Sequence, residues 1–460
     1  MVFSSVTFLF YFLPAFLLLY YLLPWKNGVL LIASLVFYAW GEPRFLPLLM
    51  ASALLNYGFG LVIARAGQHR KLALGVGVTA NLAMLGYFKY AGFFTTLVNQ
   101  ALDQHLAVPA IVLPLGISFF VFQGLSYLVD VYRGDVDPQK SFWTFATYKA
   151  MFPQLIAGPI VRYRQVAADM VERHVTADRI WIGFRYFVIG LAQKVLIANT
   201  VGEAADHLFN AGPAQLNTAS AWLAVACYSI QILYDFAGYS NMAIGIGHMI
   251  GFTYPPNFNH PYSAVSVTEF WRRWHISLSS WFRDYLYIPL GGNRLGAFRT
   301  YLNLTFVFLL CGLWHGAAPT FIVWGMWHGV LLVLERAGLG NVLARLPRSV
   351  AQCYTLLMVM LGWVWFRAAD LQTALQMLET MFTPSTGGAA PHVWRIDIGP
   401  AQWTALLIGA ALALWRRPAS PAGVERRALP LQMALALAAF VLCGASLAAG
   451  TYNPFIYFRF

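Results

Sequence analysis

Charge is the scarcest property of this chain. Asp, Glu, Lys and Arg together make up 10% of its 460 residues, whereas soluble globular domains carry about a quarter. So little charge cannot clothe a globule of this size in water, and a soluble protein is excluded. Acid is scarcer than base, with 18 Asp and Glu against 30 Lys and Arg and a net charge of +12. The basic residues, among them Arg65, Arg70, Lys71, Arg162, Arg164, Arg345, Arg348, Arg416 and Arg417, lie scattered between apolar runs. That distribution argues for control of membrane topology and against nucleic-acid binding.

Cysteine is nearly missing. Cys227, Cys311, Cys353 and Cys443 each sit in an apolar stretch, and no pair has metal-site spacing. Neither a disulfide framework nor a metal centre is expected. The sequence also lacks a P-loop, a dinucleotide glycine fingerprint and a His-Glu-x-x-His zinc pattern, and it has no Gly-x-Ser-x-Gly elbow. No long soluble stretch interrupts it; the widest polar linkers are residues 135–140, 167–178 and 384–400. No internal repeat is visible, so the paired-half signature of many transporters is missing.

What the chain has is apolar length. Hydrophobic residues make up 59% of it, and runs such as VTFLFYFLPAFLLLYYLL (6–23) are long enough to cross a hydrocarbon core as helices. That first run has no basic stretch before it and no small-residue cleavage site after it, so it is read as a retained span rather than a signal peptide. Lys26 behind it places the N-terminus outside. Further candidate segments cover 28–40, 45–63, 72–97, 111–131, 143–160, 180–197, 219–252, 270–290, 300–313, 320–334, 350–366, 403–415 and 429–450. The expectation is an all-α polytopic integral membrane protein of roughly 11–14 helices, some not full spans.

Two segments break the pattern. Residues 151–164 (MFPQLIAGPIVRYR) hold Pro153, Gly158 and Pro159, and irregular backbone at membrane depth survives only inside protein or beside a water-filled cavity. This segment is expected to be re-entrant or broken. Residues 270–290 mix Arg272, Arg273, Arg283 and Asp284 with Trp271, Trp274, Trp281, Phe282, Tyr285 and Tyr287, which suits a membrane face.

Ionisable side chains at depth are costly and mark functional candidates. His315 lies in LCGLWHGAAPTFIVWGMW (310–327), four residues before Pro319 and between Gly312 and Gly316. Proline there loosens the turn at the imidazole, and the two glycines permit close approach by backbone or substrate. A neutral histidine in a dry site suits a general base. The bland alternative is a histidine bonded to a neighbouring helix. His275 lies in WRRWHISLS. On a continuous helix it would share a face with Trp271, Arg272 and Ser279, a set fit to hold an anionic or thioester-bearing ligand; interface anchoring explains it equally well. His328 would stand about 20 Å from His315 on a continuous helix, and it is read as structural, at a helix end. His260, in the turn-rich PPNFNHPY (255–262), is read as structural too. Asp235, in IQILYDFAGYSN (230–241), needs a partner. Lys89, Asp130, Arg185 and Lys194 are expected in interhelical ion pairs or snorkelling at helix ends.

FWRRWHISLSSWFRDYLYIPLGG followed about forty residues later by LWHG resembles the membrane-bound O-acyltransferase family, and within it the bacterial branch that modifies extracytoplasmic polymers. The stretches MVFSSVTFLF, FYAWGEPRF, PQLIAGPIVRY, YDFAGYSNMAIGIG and NPFIYFRF are most similar to its alginate-acetylating type. The resemblance implies a single transmembrane domain over 1–460, with a catalytic core at roughly 145–335 and a ring of helices around a central channel. It implies His315 as the central catalytic histidine and His275 as the second one, with Arg272 and Ser279 as donor-binding candidates. It further implies an acetyl thioester such as acetyl-CoA as donor substrate, with no permanently bound cofactor and no metal. The acceptor would be a polysaccharide such as alginate, the partners periplasmic polysaccharide-modifying proteins and membrane lipid, and the location the bacterial inner membrane. Acetylation of peptidoglycan or another wall polymer stands as the alternative. An exporter of a lipid-linked or polymeric substrate and a non-catalytic scaffold are the rivals from other classes.

Overall fold

The computed structural model describes residues 1–156, 158–383, 398–415 and 429–455. Most of the 384–400 linker, Arg416 and Arg417, and the end of the NPFIYFRF tail lie outside the described residues. Among the described residues every regular element is helical, so the chain is an all-α membrane protein. Among the described residues eight helices are long and apolar enough to cross a membrane: Pro43–Arg65, Gly67–Leu102, Ala177–Ala211, Thr218–Met249, Gly296–His315, Pro319–Leu343, Arg348–Arg367 and Leu429–Ala448. Three shorter apolar helices, Phe8–Leu22, Lys26–Gly41 and Pro400–Leu414, accompany them. Thr218–Met249 is set apart by burial: 83% of its most apolar window is enclosed by protein, so its neighbours are side chains rather than lipid.

Two compact units divide the chain. The first holds Met1–Phe187 with Ser240–Pro255, the second Val188–Tyr239 with Pro256–Phe460.

In the first unit the broken segment is built from inside. The helix Phe142–Ala150 stops at Met151, a single turn Phe152–Leu155 follows, and no regular element returns before Tyr163–Val171. Met151, Phe152, Leu155, Ile160 and Val161 are buried. Polar groups of the protein satisfy the freed backbone, as lipid cannot. Ser34 Oγ accepts from the Phe152 N–H at 3.1 Å, the Gln154 amide donates to the Tyr148 carbonyl at 2.6 Å, and the Tyr148 hydroxyl donates to the Val161 carbonyl at 3.1 Å. The Phe152 ring lies 5.1 to 6.3 Å from the rings of Phe3, Phe8, Phe12, Phe16 and Phe37. Asp130 is ion-paired as expected, with Arg164 at 3.7 Å; the buried Lys149, not singled out from the sequence, donates to the Phe120 carbonyl.

In the second unit Lys194 and Asp235 form an ion pair at 2.6 Å, both almost wholly buried. Their approach depends on Gly238, where a Cβ would stand 2.6 Å from the Gly190 carbonyl oxygen and 3.1 Å from the Lys194 nitrogen. The interfacial segment is shorter than a span: Val267–Arg273 and Ile276–Phe282 are separate helices of 7 residues each.

Replacing Phe152 by Ala removes the ring at the centre of the first unit's aromatic cluster. A loss of about 3–5 kcal/mol is expected, read as a lowered melting temperature of the protein in detergent. An unchanged melting temperature would show that the broken segment is held by something else.

Candidate active site

The histidine motifs meet in the second unit because two helices end where sequence continuity would carry them on. Gly296–His315 terminates at His315 itself, Gly316 and Ala318 are extended, and Pro319 opens the next helix. Proline fits there because its missing N–H falls among the first-turn donors, which have no helical partner. The result is a helical hairpin. A Cβ at Gly312 would strike the Phe321 carbonyl oxygen, one at Gly325 the Phe308 carbonyl oxygen, and the two glycines face each other. Gly316 lies against the Phe321 ring. The bulk removed by these glycines therefore admits backbone and the Phe321 ring.

WRRWH is interrupted as well. Trp274 is extended, and His275 takes the left-handed conformation (φ 43°, ψ 54°) as it opens Ile276–Phe282. A histidine there is strained, and such residues cluster at functional sites. The loop at 257–259 secures the break. The Ile276 N–H donates to the Asn257 carbonyl at 2.9 Å, the Ser277 hydroxyl to Asn257 Oδ1 at 2.8 Å, and the Asn259 N–H to the Arg273 carbonyl at 2.9 Å. Ahead of the break, Glu335 accepts from the Val267 N–H at 2.6 Å and from the Thr268 N–H at 2.9 Å. It thereby places a carboxylate at the positive end of Val267–Arg273.

These two terminations bring His275 and His315 together, with ring centroids 6.5 Å apart. Aromatic rings surround the pair. Trp314, Trp324 and Phe366 stand 4.9 to 5.2 Å from His315, each nearly edge-on, and Phe236 stands 4.5 Å from His275. His275 is fully buried, and neither of its ring nitrogens has a hydrogen-bond partner among the described residues. Burial without a charged partner favours its neutral form. His315 keeps 8% of its surface exposed, while His275 and His328 have 0%.

The other sequence candidates fall differently. The face expected to join His275 with Trp271, Arg272 and Ser279 does not form, because the helix breaks at Trp274. The Arg272 side chain is exposed, and the Ser279 hydroxyl donates to the Trp274 carbonyl at 3.3 Å. His328 is inside Pro319–Leu334 rather than at a helix end. The hairpin returns it toward His315, so the 20 Å separation of a continuous helix does not apply. Trp324 touches both, at 5.0 Å from His315 and 5.2 Å from His328, and the Trp271 indole donates to His328 Nδ1 at 3.4 Å. His260 sits in the turn before Pro261–Ser263, as expected.

Asn257, Phe236, Trp363 and Phe366 were not foreseen. Trp363 stands 4.9 Å from Trp274 and 6.2 Å from Trp324; it and Phe366 lie beyond residue 335. The "PPNFN" turn was legible, but its pairing with the His275 break is a long-range contact without a local signal.

The sequence model of the MBOAT, membrane-bound O-acyltransferase family, matches residues 136–343. A probable alginate O-acetylase of Azotobacter vinelandii is 46% identical over 90% of this chain and 83% of its own length. The chain belongs to the membrane-bound O-acyltransferase family. A probable alginate O-acetylase of Pseudomonas putida is 44% identical, with both chains covered in full. A peptidoglycan O-acetyltransferase of Helicobacter pylori is 38% identical over 83% of this chain and 80% of its own. This multi-pass membrane protein is thus an O-acyltransferase, and both histidines lie within the matched region.

Gly312→Val would drive a side chain into the Phe321 carbonyl at the hairpin crossing. Overpacking of this kind costs about 1–3 kcal/mol, and folded protein recovered after detergent extraction should fall. Recovery and melting temperature equal to the parent's would contradict a backbone-tight crossing.

Proposed function

We propose that this O-acyltransferase carries an acetyl group from a cytoplasmic thioester, acetyl-CoA or another acetyl carrier, to a hydroxyl of an extracytoplasmic polysaccharide. Alginate is the first acceptor to test, because relatives named as alginate O-acetylases match across most of the chain. The peptidoglycan O-acetyltransferase relative supports a wall polymer as the second reading. The bacterial inner membrane, where a cytoplasmic donor and a periplasmic acceptor lie on opposite faces, is the location that fits, with periplasmic polysaccharide-modifying proteins as partners.

The observation that carries the mechanism is the difference in exposure among three clustered histidines. A general base must touch its substrate, and His315 alone of the three keeps accessible surface. His315 takes the acceptor hydroxyl proton as the oxygen attacks the thioester carbonyl. The new C–O bond forms, the tetrahedral oxyanion collapses, the C–S bond breaks, and the proton passes from His315 to the departing sulfur. His275, sealed from solvent, serves as a positioning residue that holds His315 in place, rather than as an oxyanion donor. Arg272, exposed on the other side of the break, suits an anionic donor carrier at the protein surface. Ser279 secures the break through the Trp274 carbonyl.

The test is the acetyl content of secreted polymer in His315→Ala and His275→Ala strains with parental protein levels. General-base catalysis contributes roughly 10²–10⁴-fold, so His315→Ala should leave no measurable acetylation, and His275→Ala should leave a residue of it. Parental acetylation with His315→Ala would end this mechanism and favour an exporter or scaffold, neither of which needs the imidazole.

A further inference from the structure

The C-terminal segment of the described chain packs on the helix that carries Lys194 and Asp206. Its residues meet the helical stretch 194–206 in antiparallel register. The Tyr452 hydroxyl donates to Asp206, Asn199 Nδ2 donates to Asn453 Oδ1 at 3.1 Å, and Lys194 donates to the Pro454 carbonyl. Phe455 is buried, with its ring 4.7 Å from that of Tyr239. Lys194 lies within, and Asn199 directly follows, a π-helical stretch, Gln193–Ala198, a feature frequent at functional sites.

Two of these contacts end on ion pairs, and each ion pair stands next to a wall of the site. Asp206 pairs with Arg367 at 2.7 Å; the residue before Arg367 is Phe366, 5.2 Å from His315. Lys194 pairs with Asp235 at 2.6 Å; the residue after Asp235 is Phe236, 4.5 Å from His275. Through these ion pairs the segment is linked to the helix that carries Phe366 and to the helix that carries Phe236. Lys194 and Asp235 are almost wholly buried and Asp206 and Arg367 largely so, so a helix that rotated would leave a charge without its partner.

We propose that residues 452–455 form a strap that positions His315 and His275, acting through the Asp206–Arg367 and Lys194–Asp235 pairs. None of these residues touches substrate, so they are positioning residues; the proposal rests on His315 as the base. Removing the Tyr452 hydroxyl should loosen Arg348–Arg367 and let Phe366 withdraw from His315.

The experiment uses two readouts on the full chain. Purified Tyr452→Phe, Arg367→Gln and Arg367→Lys proteins are treated with diethyl pyrocarbonate, and histidine modification is followed peptide by peptide, with exposed His174 as the internal control. Acetyl content of the polymer is measured in the matching strains at equal protein level. His315 modification should accelerate severalfold in Tyr452→Phe and Arg367→Gln, with His174 unchanged and acetylation reduced. Arg367→Lys, which keeps the charge, should recover part of both. Tyr452→Phe added to Asp206→Asn should do little more than Asp206→Asn alone, because the carboxylate that accepts from Tyr452 is already gone. An unchanged His315 modification rate in Tyr452→Phe and Arg367→Gln overturns the strap. That result is separable from failure of the catalytic reading, which would appear as acetylation surviving His315→Ala whatever the modification rates.

Discussion

Gly312 and Gly325 allow two helices of the hairpin to touch backbone to backbone, and the site follows from that contact. With any side chain at the crossing, the helices would stand farther apart. Phe321 could not then lie against Gly316, and Trp324 could not reach His315. The same helix carries His328 one turn beyond Trp324, where it accepts the Trp271 indole N–H. Trp271 belongs to the short helix that ends at the His275 break. One glycine crossing thus sets the distance between the LWHG and WRRWH motifs, through three aromatic side chains that tolerate little displacement in a close-packed interior.

The few charges perform a related task in the second unit. Lys194–Asp235, Asp206–Arg367 and the Glu335 carboxylate on Val267–Arg273 all lie in a medium where a charge has no alternative to its partner. Such pairs contribute little net stability once desolvation is counted. What they supply is register: a helix slipped by one residue would leave a bare ion in the interior. In a chain this apolar, hydrophobic matching alone distinguishes poorly between rotations of a helix, because one face resembles another. Thr218–Met249, enclosed on most sides, carries Asp235 and Phe236 side by side, so its ion pair sets the rotation that turns Phe236 onto His275.

The sequence carried the class of the protein and singled out two histidines that the fold brings together, because both are local signals. Apolar length reports spans, and short motifs with unusual residues report a site. It also carried the irregular course of 151–164, since proline and glycine act where they stand. It misled at 271–279, where helical spacing suggested one face for Arg272, His275 and Ser279. The break at Trp274 depends on Asn257 and Asn259 binding freed backbone groups from a different loop, and no residue within WRRWH announces that. His328 failed for the same reason: its distance from His315 was reckoned along the helix, whereas chain reversal at Gly316–Ala318 made it a neighbour. The aromatic walls Phe236 and Phe366 were illegible, because phenylalanine in an apolar helix looks alike whether it faces lipid, core or a reactive imidazole.

Those walls bear on a problem that any acyl transfer to a hydroxyl must solve. Water is an acceptor too, and a base that activates a sugar hydroxyl also activates water. An open, wet histidine would hydrolyse the thioester. Here His315, the proposed base, exposes only a sliver of its surface, Trp314, Trp324 and Phe366 meet it edge-on, and its neighbour His275 is sealed off entirely. Edge-on aromatic contacts give an imidazole dispersion and a weak electrostatic fit, and beyond the indole N–H groups of Trp314 and Trp324 they give water little to bond. A lone water entering that setting forfeits most of its hydrogen bonds. A sugar that enters with its own hydroxyl network held by the protein forfeits fewer. On the proposed mechanism, selectivity for a carbohydrate acceptor over solvent would rest on the aromatic enclosure, and the imidazole itself need not discriminate.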